Sequence, residues 1–180
     1  MKKSILFLSL IAITTGVVAQ KAVTTSAVIT FDATTPKDAL PKAENKTVIG
    51  SIDIKTGDVA FEAAVNNFAF TNARIQEHFN ADKWMNAAAF PKFTFSGKID
   101  KPGSVNFKKN GTYNVTVKGD LTVKGIAKPV SAPATVVVKD GVITSSSTFS
   151  IKLADYGITG GSIDNGKVSA NPSITVSATF

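Results

Sequence analysis

Apolar side chains recur at every second position along most of this chain, a period that belongs to half-buried β-strands. Ala27, Ile29 and Phe31 alternate with Val28 and Thr30, and Val48, Gly50, Ile52 and Ile54 share one parity. Val59, Phe61, Ala63 and Val65 form a further run, and Ile174, Val176, Ala178 and Phe180 carry the alternation to the last residue. After Val65 the parity flips, because Phe68 and Phe70 stand on even numbers, and Asn66 and Asn67 at the flip read as a β-bulge.

Short turns join the runs. Asn110-Gly111 and Asp140-Gly141 lie between alternating apolar segments and favour the type I′ hairpin; Gly125 with Pro129, and Asn165-Gly166, mark further reversals. About eight antiparallel strands follow from this count. An open sheet would leave two unpaired edges, and closure into a barrel removes them. The expected fold is all-β, an antiparallel barrel of about eight strands with one or two short helices mid-chain. The principal helix is expected where Ala81, Trp84, Met85 and Ala88 fall at i, i+3, i+4 and i+7, with Asn80 as N-cap and Pro91 as stop; a further helical turn is expected at Ala73 to Phe79.

The first residues have a different character. Lys2 and Lys3 precede an apolar run from Ile5 to Ile13 and small residues at Val17 and Ala19, the layout of a secretory signal peptide spanning residues 1–19. Thr14, Thr15 and Gly16 stop the run well short of the ~20 apolar residues of a membrane-spanning helix. The expected mature chain, residues 20–180, is a single domain in the periplasm or outside the cell. It has no cysteine, which excludes disulfides, thiolate metal sites and a lipid-modified cysteine anchor. Without Lys2 and Lys3 the net charge falls from +7 to +5, and the remaining lysines are scattered singly except at Lys108-Lys109, so no nucleic-acid partner is expected.

Twelve phenylalanines stand against one tryptophan and two tyrosines. Phe68, Phe70, Phe79, Trp84, Phe90, Phe93 and Phe95 lie close together in sequence. Sugar platforms need the polar tips of Trp and Tyr, whereas Phe suits a dry interior. Small residues share parity with these bulky ones: Ala27, Gly50, Ala63, Gly97, Ala132, Ala134 and Ala178. They would leave room in a barrel wall, and an apolar ligand filling such room gains about 25 cal/mol per Å² removed from water. A core filled by the protein's own side chains is equally compatible with the composition.

His78 is the single histidine. Acid–base catalysis would require a nucleophile or substrate proton within reach and an orienting carboxylate, and no serine elbow accompanies it. With no cysteine and no second histidine a zinc site would rest on carboxylates alone. No enzymatic activity, metal or cofactor is expected. On a helix from Ala73 to Phe79, Arg74 and His78 share one face and Ile75 and Phe79 another, so the apolar pair would plug a barrel while the polar pair met a ligand head group at its mouth. Trp84 would help close the same end, and Asp155 could pair with Arg74 or Lys152.

The order "FEAAVNNFAFTNARIQEHFNADKWMNAAAFPKFTFSGKI", "YNVTVKGDLTVKGIAKPV" and "FSIKLADYGI" resembles the YceI family of secreted, lipocalin-like proteins. Its most specific parts are His78-Phe79 followed by Trp84 and "FPKFTF", the Leu121 to Val130 segment, and "DYGI" at Asp155 to Ile158. The resemblance implies a barrel that holds a polyisoprenoid or similar long amphiphilic lipid. Joined to the residue pattern, it gives a carrier whose ligand lies against Phe68, Phe70, Phe79, Trp84, Phe93 and Phe95, oriented near Arg74 and His78; a homodimer is compatible with it. Two other readings stand beside this one. The first is a noncatalytic structural or stress-related module with a filled core. The second is an outer-membrane barrel, suggested by the terminal Phe180 but lacking the Tyr and Trp girdles of such walls.

Overall fold

The computed structural model describes residues 21–180, so the expected signal peptide lies outside the described residues. Strands β1 (Lys21–Asp32), β2 (Lys42–Asp53), β3 (Asp58–Ala64) and the two-residue β4 (Ala69–Phe70) are followed by helix α1 (Ala73–Asn80). Then come β5 (Lys92–Ile99), β6 (Gly111–Val123), β7 (Ile126–Lys139), β8 (Val142–Ser150), a short helix α2 (Gly161–Asp164) and β9 (Ser173–Thr179). The sheet runs β1-β9-β8-β7-β6-β5-β3-β2, every pair antiparallel, and β2 pairs back onto β1, so eight strands close a barrel. β4 is an extra strand that pairs only with β2, Phe70 facing Ala43.

The period of two becomes an inside and an outside. On β6, Tyr113, Val115, Val117, Gly119 and Leu121 face inward, while Thr112, Asn114, Thr116, Lys118 and Asp120 are exposed. β5 and β9 present Lys92, Ser96, Lys98, Ser177 and Thr179 to water in the same way. Ion pairs such as Lys92–Glu62 (2.9 Å) and Lys98–Asp58 (3.4 Å) link neighbouring strands across that surface. At such exposure solvent screens them and each contributes little to stability. An apolar inside and a polar outside are the reverse of a membrane-spanning barrel, whose outward band is apolar. Among the described residues no helix is long and apolar enough to cross a membrane.

Three local expectations are corrected. The helix expected over Ala81 to Ala88 is a series of turns, and α1 lies one segment earlier, capped by Asn72, whose side chain accepts from the Arg74 (2.9 Å) and Ile75 (3.3 Å) amides. Asn80 ends that helix instead of starting one, and Asn86 at φ 49° breaks any continuation. Met85 and Ala87 are nonetheless buried, so the apolar spacing reports burial by turns that tertiary contact holds in place. The parity flip after Val65 is made by a 3₁₀ turn, Val65–Asn67, and not by a bulge. Asn110-Gly111 closes no hairpin: the β5–β6 connection runs through a 3₁₀ turn at Pro102–Ser104, and β6 starts at Gly111. Asn110 instead exchanges two 2.9 Å hydrogen bonds with Asp140, joining two loops at one end of the barrel. Asp140-Gly141 does form the expected turn, with positive φ at both residues, and Lys124-Gly125 does the same between β6 and β7.

β7 and β8 part company halfway. Their pairing covers Ala134 to Lys139, so among the described residues the first half of β7 has no strand on that side. The backbone groups of its odd residues point into the gap, and two of those residues are Pro129 and Pro133, which have no N–H to leave unsatisfied. The Ser147 hydroxyl donates to the Pro133 carbonyl (2.7 Å) where the strands diverge. Leu153, Tyr156 and Ile158, all buried, cover the gap from a 3₁₀ turn, Leu153–Tyr156, that ends in Gly157 at φ 67°.

Buried residues gather at the two ends. One cluster includes Phe31, Phe68, Phe79, Met85 and Leu153 beside α1; the other includes Ile52, Val59, Ile99, Val136 and Ile143 at the opposite end. Between them the barrel is open.

Candidate functional site: the barrel lumen

The lumen holds a cavity of about 150 Å³. Among the described residues its wall carries no charged side chain; Thr94, Ser145, Ser146 and Ser147 are the polar residues in an otherwise apolar lining. Inward-facing Leu121, Ala134, Ile174 and Val176 are only half-buried, because the void they face leaves them accessible from inside. The interior is therefore hollow and greasy, and the filled-core reading does not describe it.

The wall stays thin because aromatic rings lie flat on glycine. Gly97 of β5 faces Gly119 of β6, and the Phe95 ring lies across both; a Cβ on either would come within 2.8 Å of it. Phe61 lies over Gly50 in the same manner. Rings that would otherwise project into the lumen are laid against its side.

At the α1 end, Phe79 is 4% exposed and touches three rings, with centroids 6.0 Å from Phe31, 5.9 Å from Phe68 and 4.9 Å from Phe70. The Gln76 Oε1 accepts from the Phe70 amide (3.1 Å) and fastens α1 over the barrel. Beyond this plug lies a second cavity of about 120 Å³ that shares Phe31 and Phe79 with the lumen. Phe70, Ile75 and Trp84 make its apolar wall, and Asp38, His78, Ser162 and Lys167 make its polar rim.

The expected site residues are thus divided between two chambers. Phe68, Phe79, Phe93 and Phe95 line the lumen; Phe70, His78 and Trp84 line the smaller cavity, which Phe79 also borders. Arg74 is exposed and borders neither. Asp155 forms an ion pair with neither Arg74 nor Lys152. Among the described residues no group of three or more His, Asp or Glu side chains is placed to hold a metal. Lining residues missed by the aromatic cluster include Phe61, Phe149, Ile151 and Phe180. Their signal was parity alone, since Phe149 stands in a run of serines and threonines that reads as surface.

A family model for the YceI-like domain matches residues 14–180. The chain belongs to the YceI family. The YceI segments that carry the likeness meet in space: the Phe90 ring would lie 3.0 Å from a Cβ on Gly125 at the β6–β7 turn, and Ile126 beside it would lie 3.8 Å from a Cβ on Gly157 of "DYGI". They tie the α1 plug and the cover of the β7–β8 gap to one hairpin tip. Solved structures show the same barrel. Burkholderia cenocepacia BcnA matches with a TM-score of 0.72 at 19% identity, over 86% of this chain and 96% of that one. A polyisoprenoid binding domain from Saccharophagus degradans, implicated in plant cell wall breakdown, matches at 0.74 and 14% identity over 89% and 97%. Campylobacter jejuni YceI protein matches at 0.55 and 20% identity over 74% and 80%. At these identities the likeness establishes the fold. No curated protein matches the chain.

Proposed function

We propose that this YceI barrel is a periplasmic or secreted carrier, without catalytic activity, that sequesters a long amphiphilic lipid of the polyisoprenoid kind. The observation that carries the reading is the open lumen, walled by phenylalanine, leucine, isoleucine, valine and alanine and free of charge. Burial of the chain there is driven by removal of apolar surface from water on both partners. Phe68, Phe93 and Phe95 form part of the contact wall, and the rings of Phe31 and Phe79 separate the tail chamber from the smaller one. The head group is assigned to that smaller chamber, where Lys167, His78 and Ser162 offer hydrogen bonds beside the Asp38 carboxylate and Trp84 and Phe70 cover its first carbons. The Saccharophagus degradans neighbour's polyisoprenoid binding supports the ligand class. The basic start and apolar run within residues 1–19, the pattern of a secretory signal, support export.

The test is mass spectrometry of an organic extract of protein purified from its native secretion route. A stoichiometric long-chain lipid is expected. Repeated absence of lipid, together with no saturable site for a hydrophobic fluorescent probe, would overturn the reading.

A further inference from the structure

Four hydroxyl residues border an otherwise apolar lumen, and three of them are accounted for. Thr94 and Ser146 have outward parity, Thr94 standing between Glu62 and Thr122, and Ser146 between Thr135 and Ser177. Ser147 donates its hydroxyl to the Pro133 carbonyl at 2.7 Å. Ser145 remains. It has the inward parity of Ile143 and Phe149, and its cross-strand neighbours are Val136 and Ala178, both buried. Its Oγ takes part in none of the side-chain hydrogen bonds among the described residues, unlike those of Ser147 and Thr148 on the same strand.

A serine here is not needed for space, because the barrel makes room elsewhere with plain methyls at Ala132 and Ala134. Nor does strand propensity favour it over valine or threonine. Solvent can bond this hydroxyl in an empty lumen, but a hydrocarbon chain that displaces the solvent leaves it without a partner, and that cost disappears only when the chain itself bonds it. Val136 belongs to the cluster that closes the end of the barrel away from α1, so Ser145 meets the deep part of an occupant and not its head group.

Resting on the carrier reading, we infer that Ser145 is a specificity residue that selects a chain bearing a second oxygen, a hydroxyl or carbonyl, on its deeply buried portion. A ligand with one polar end fills the lumen and leaves Ser145 unbonded. A ligand with a second oxygen at that depth fills it and satisfies Ser145.

The test is displacement of a fluorescent fatty acid from the full mature protein by hexadecanoic acid and by its monohydroxy isomers, substituted at successive carbons along the distal half. One isomer, or a run of adjacent ones, is expected to bind about three- to tenfold tighter than the parent, the size of one neutral hydrogen bond. In Ser145→Ala that preference disappears, because the parent acid no longer leaves a hydroxyl unbonded and binds tighter while the favoured isomer loses its partner, and Ser145→Thr retains it. Equal or weaker binding of every isomer by the native protein overturns the inference, as does an unchanged preference in Ser145→Ala; in both cases the carrier reading stands. If neither the fluorescent probe nor any fatty acid binds, the carrier reading fails and the inference falls with it.

Discussion

The Phe95 ring and Gly119 occupy space that cannot be shared: a Cβ on Gly119 would come within 2.8 Å of the ring's Cζ, and the Ser96 carbonyl and Gly97 Cα crowd the same point. The second set of neighbours is backbone, so the wall cannot relax as a flexible side chain would. Gly119→Ala should therefore destabilise the barrel by about 1–3 kcal/mol through overpacking, read as a lower urea midpoint. Gly103, where an added Cβ would meet nothing within 4 Å, is the matched control, and Gly103→Ala should be close to neutral.

Phe79 belongs to both chambers, and its removal should be felt in two measurements. Loss of a ring packed on Phe31, Phe68 and Phe70 costs about 3 kcal/mol, the lower end for Phe→Ala because one side already faces a void. Phe79→Ala should also merge the two cavities and speed dissociation of a bound fluorescent lipid in stopped-flow displacement. Phe79→Leu should restore most of the stability and slow the release again.

Much of this was legible in the sequence, and what was not has a physical cause. Period-two alternation gave the barrel because a strand's faces are set locally, as in Tyr113 to Leu121. The site was partly legible, since Phe68, Phe79, Phe93 and Phe95 stand in one cluster, yet Phe149 and Phe180 reach the same lumen from strands distant in sequence. The missed features depend on tertiary contact. Residues 81–90 carry helical spacing but are held as turns with Met85 and Ala87 buried, and Asn110 binds Asp140 thirty residues away instead of closing its own turn. The uses of Gly50, Gly97 and Gly119 were hidden because the ring that each seats lies on another strand or two residues along its own.

Asp32 ties the end of β1 to the next turn and makes stability depend on acid. Its carboxylate accepts from the Thr34 hydroxyl at 2.7 Å and the Thr34 amide at 3.1 Å, with Lys42 3.3 Å away. The Thr34 hydroxyl bond, foremost, holds its pKa below the ordinary carboxylate value in spite of partial burial. A group depressed in the folded state contributes stability above its unfolded pKa, about 3.9, and loses it as pH falls through the lower folded value. The native protein should thus lose stability on acidification more steeply than Asp32→Asn, by a fraction of a kcal/mol after solvent screening. Urea midpoints at pH 7 and at about pH 2.5 measure the difference; equal acid slopes would show that Asp32 contributes nothing.

Lys167 stands on the rim of the smaller cavity across from His78, and no acid pairs with it among the described residues. Lys167→Ala should weaken binding of a fatty acid by about three- to tenfold, as expected for one charge-assisted contact at a part-exposed site, and should leave the matching fatty alcohol unaffected. An equal loss for acid and alcohol would place the head group elsewhere.

Ala134 distinguishes a hollow barrel from a filled one by the sign of a stability change. It faces inward between Val115 and Ser147, half-buried, on the wall of the open lumen. Extra atoms forced into a packed core cost about 1–3 kcal/mol, whereas atoms added beside a void remove apolar surface from water at about 25 cal/mol per Å². Ala134→Phe should therefore leave the thermal midpoint unchanged or raise it while abolishing lipid binding, because the new ring occupies the place of the tail. Ala178, buried within a packed cluster, is the contrasting position, and Ala178→Phe should lower the midpoint. Destabilisation of similar size at both positions, measured by calorimetry on lipid-free protein, would mean that the space beside Ala134 is already taken by the protein's own side chains.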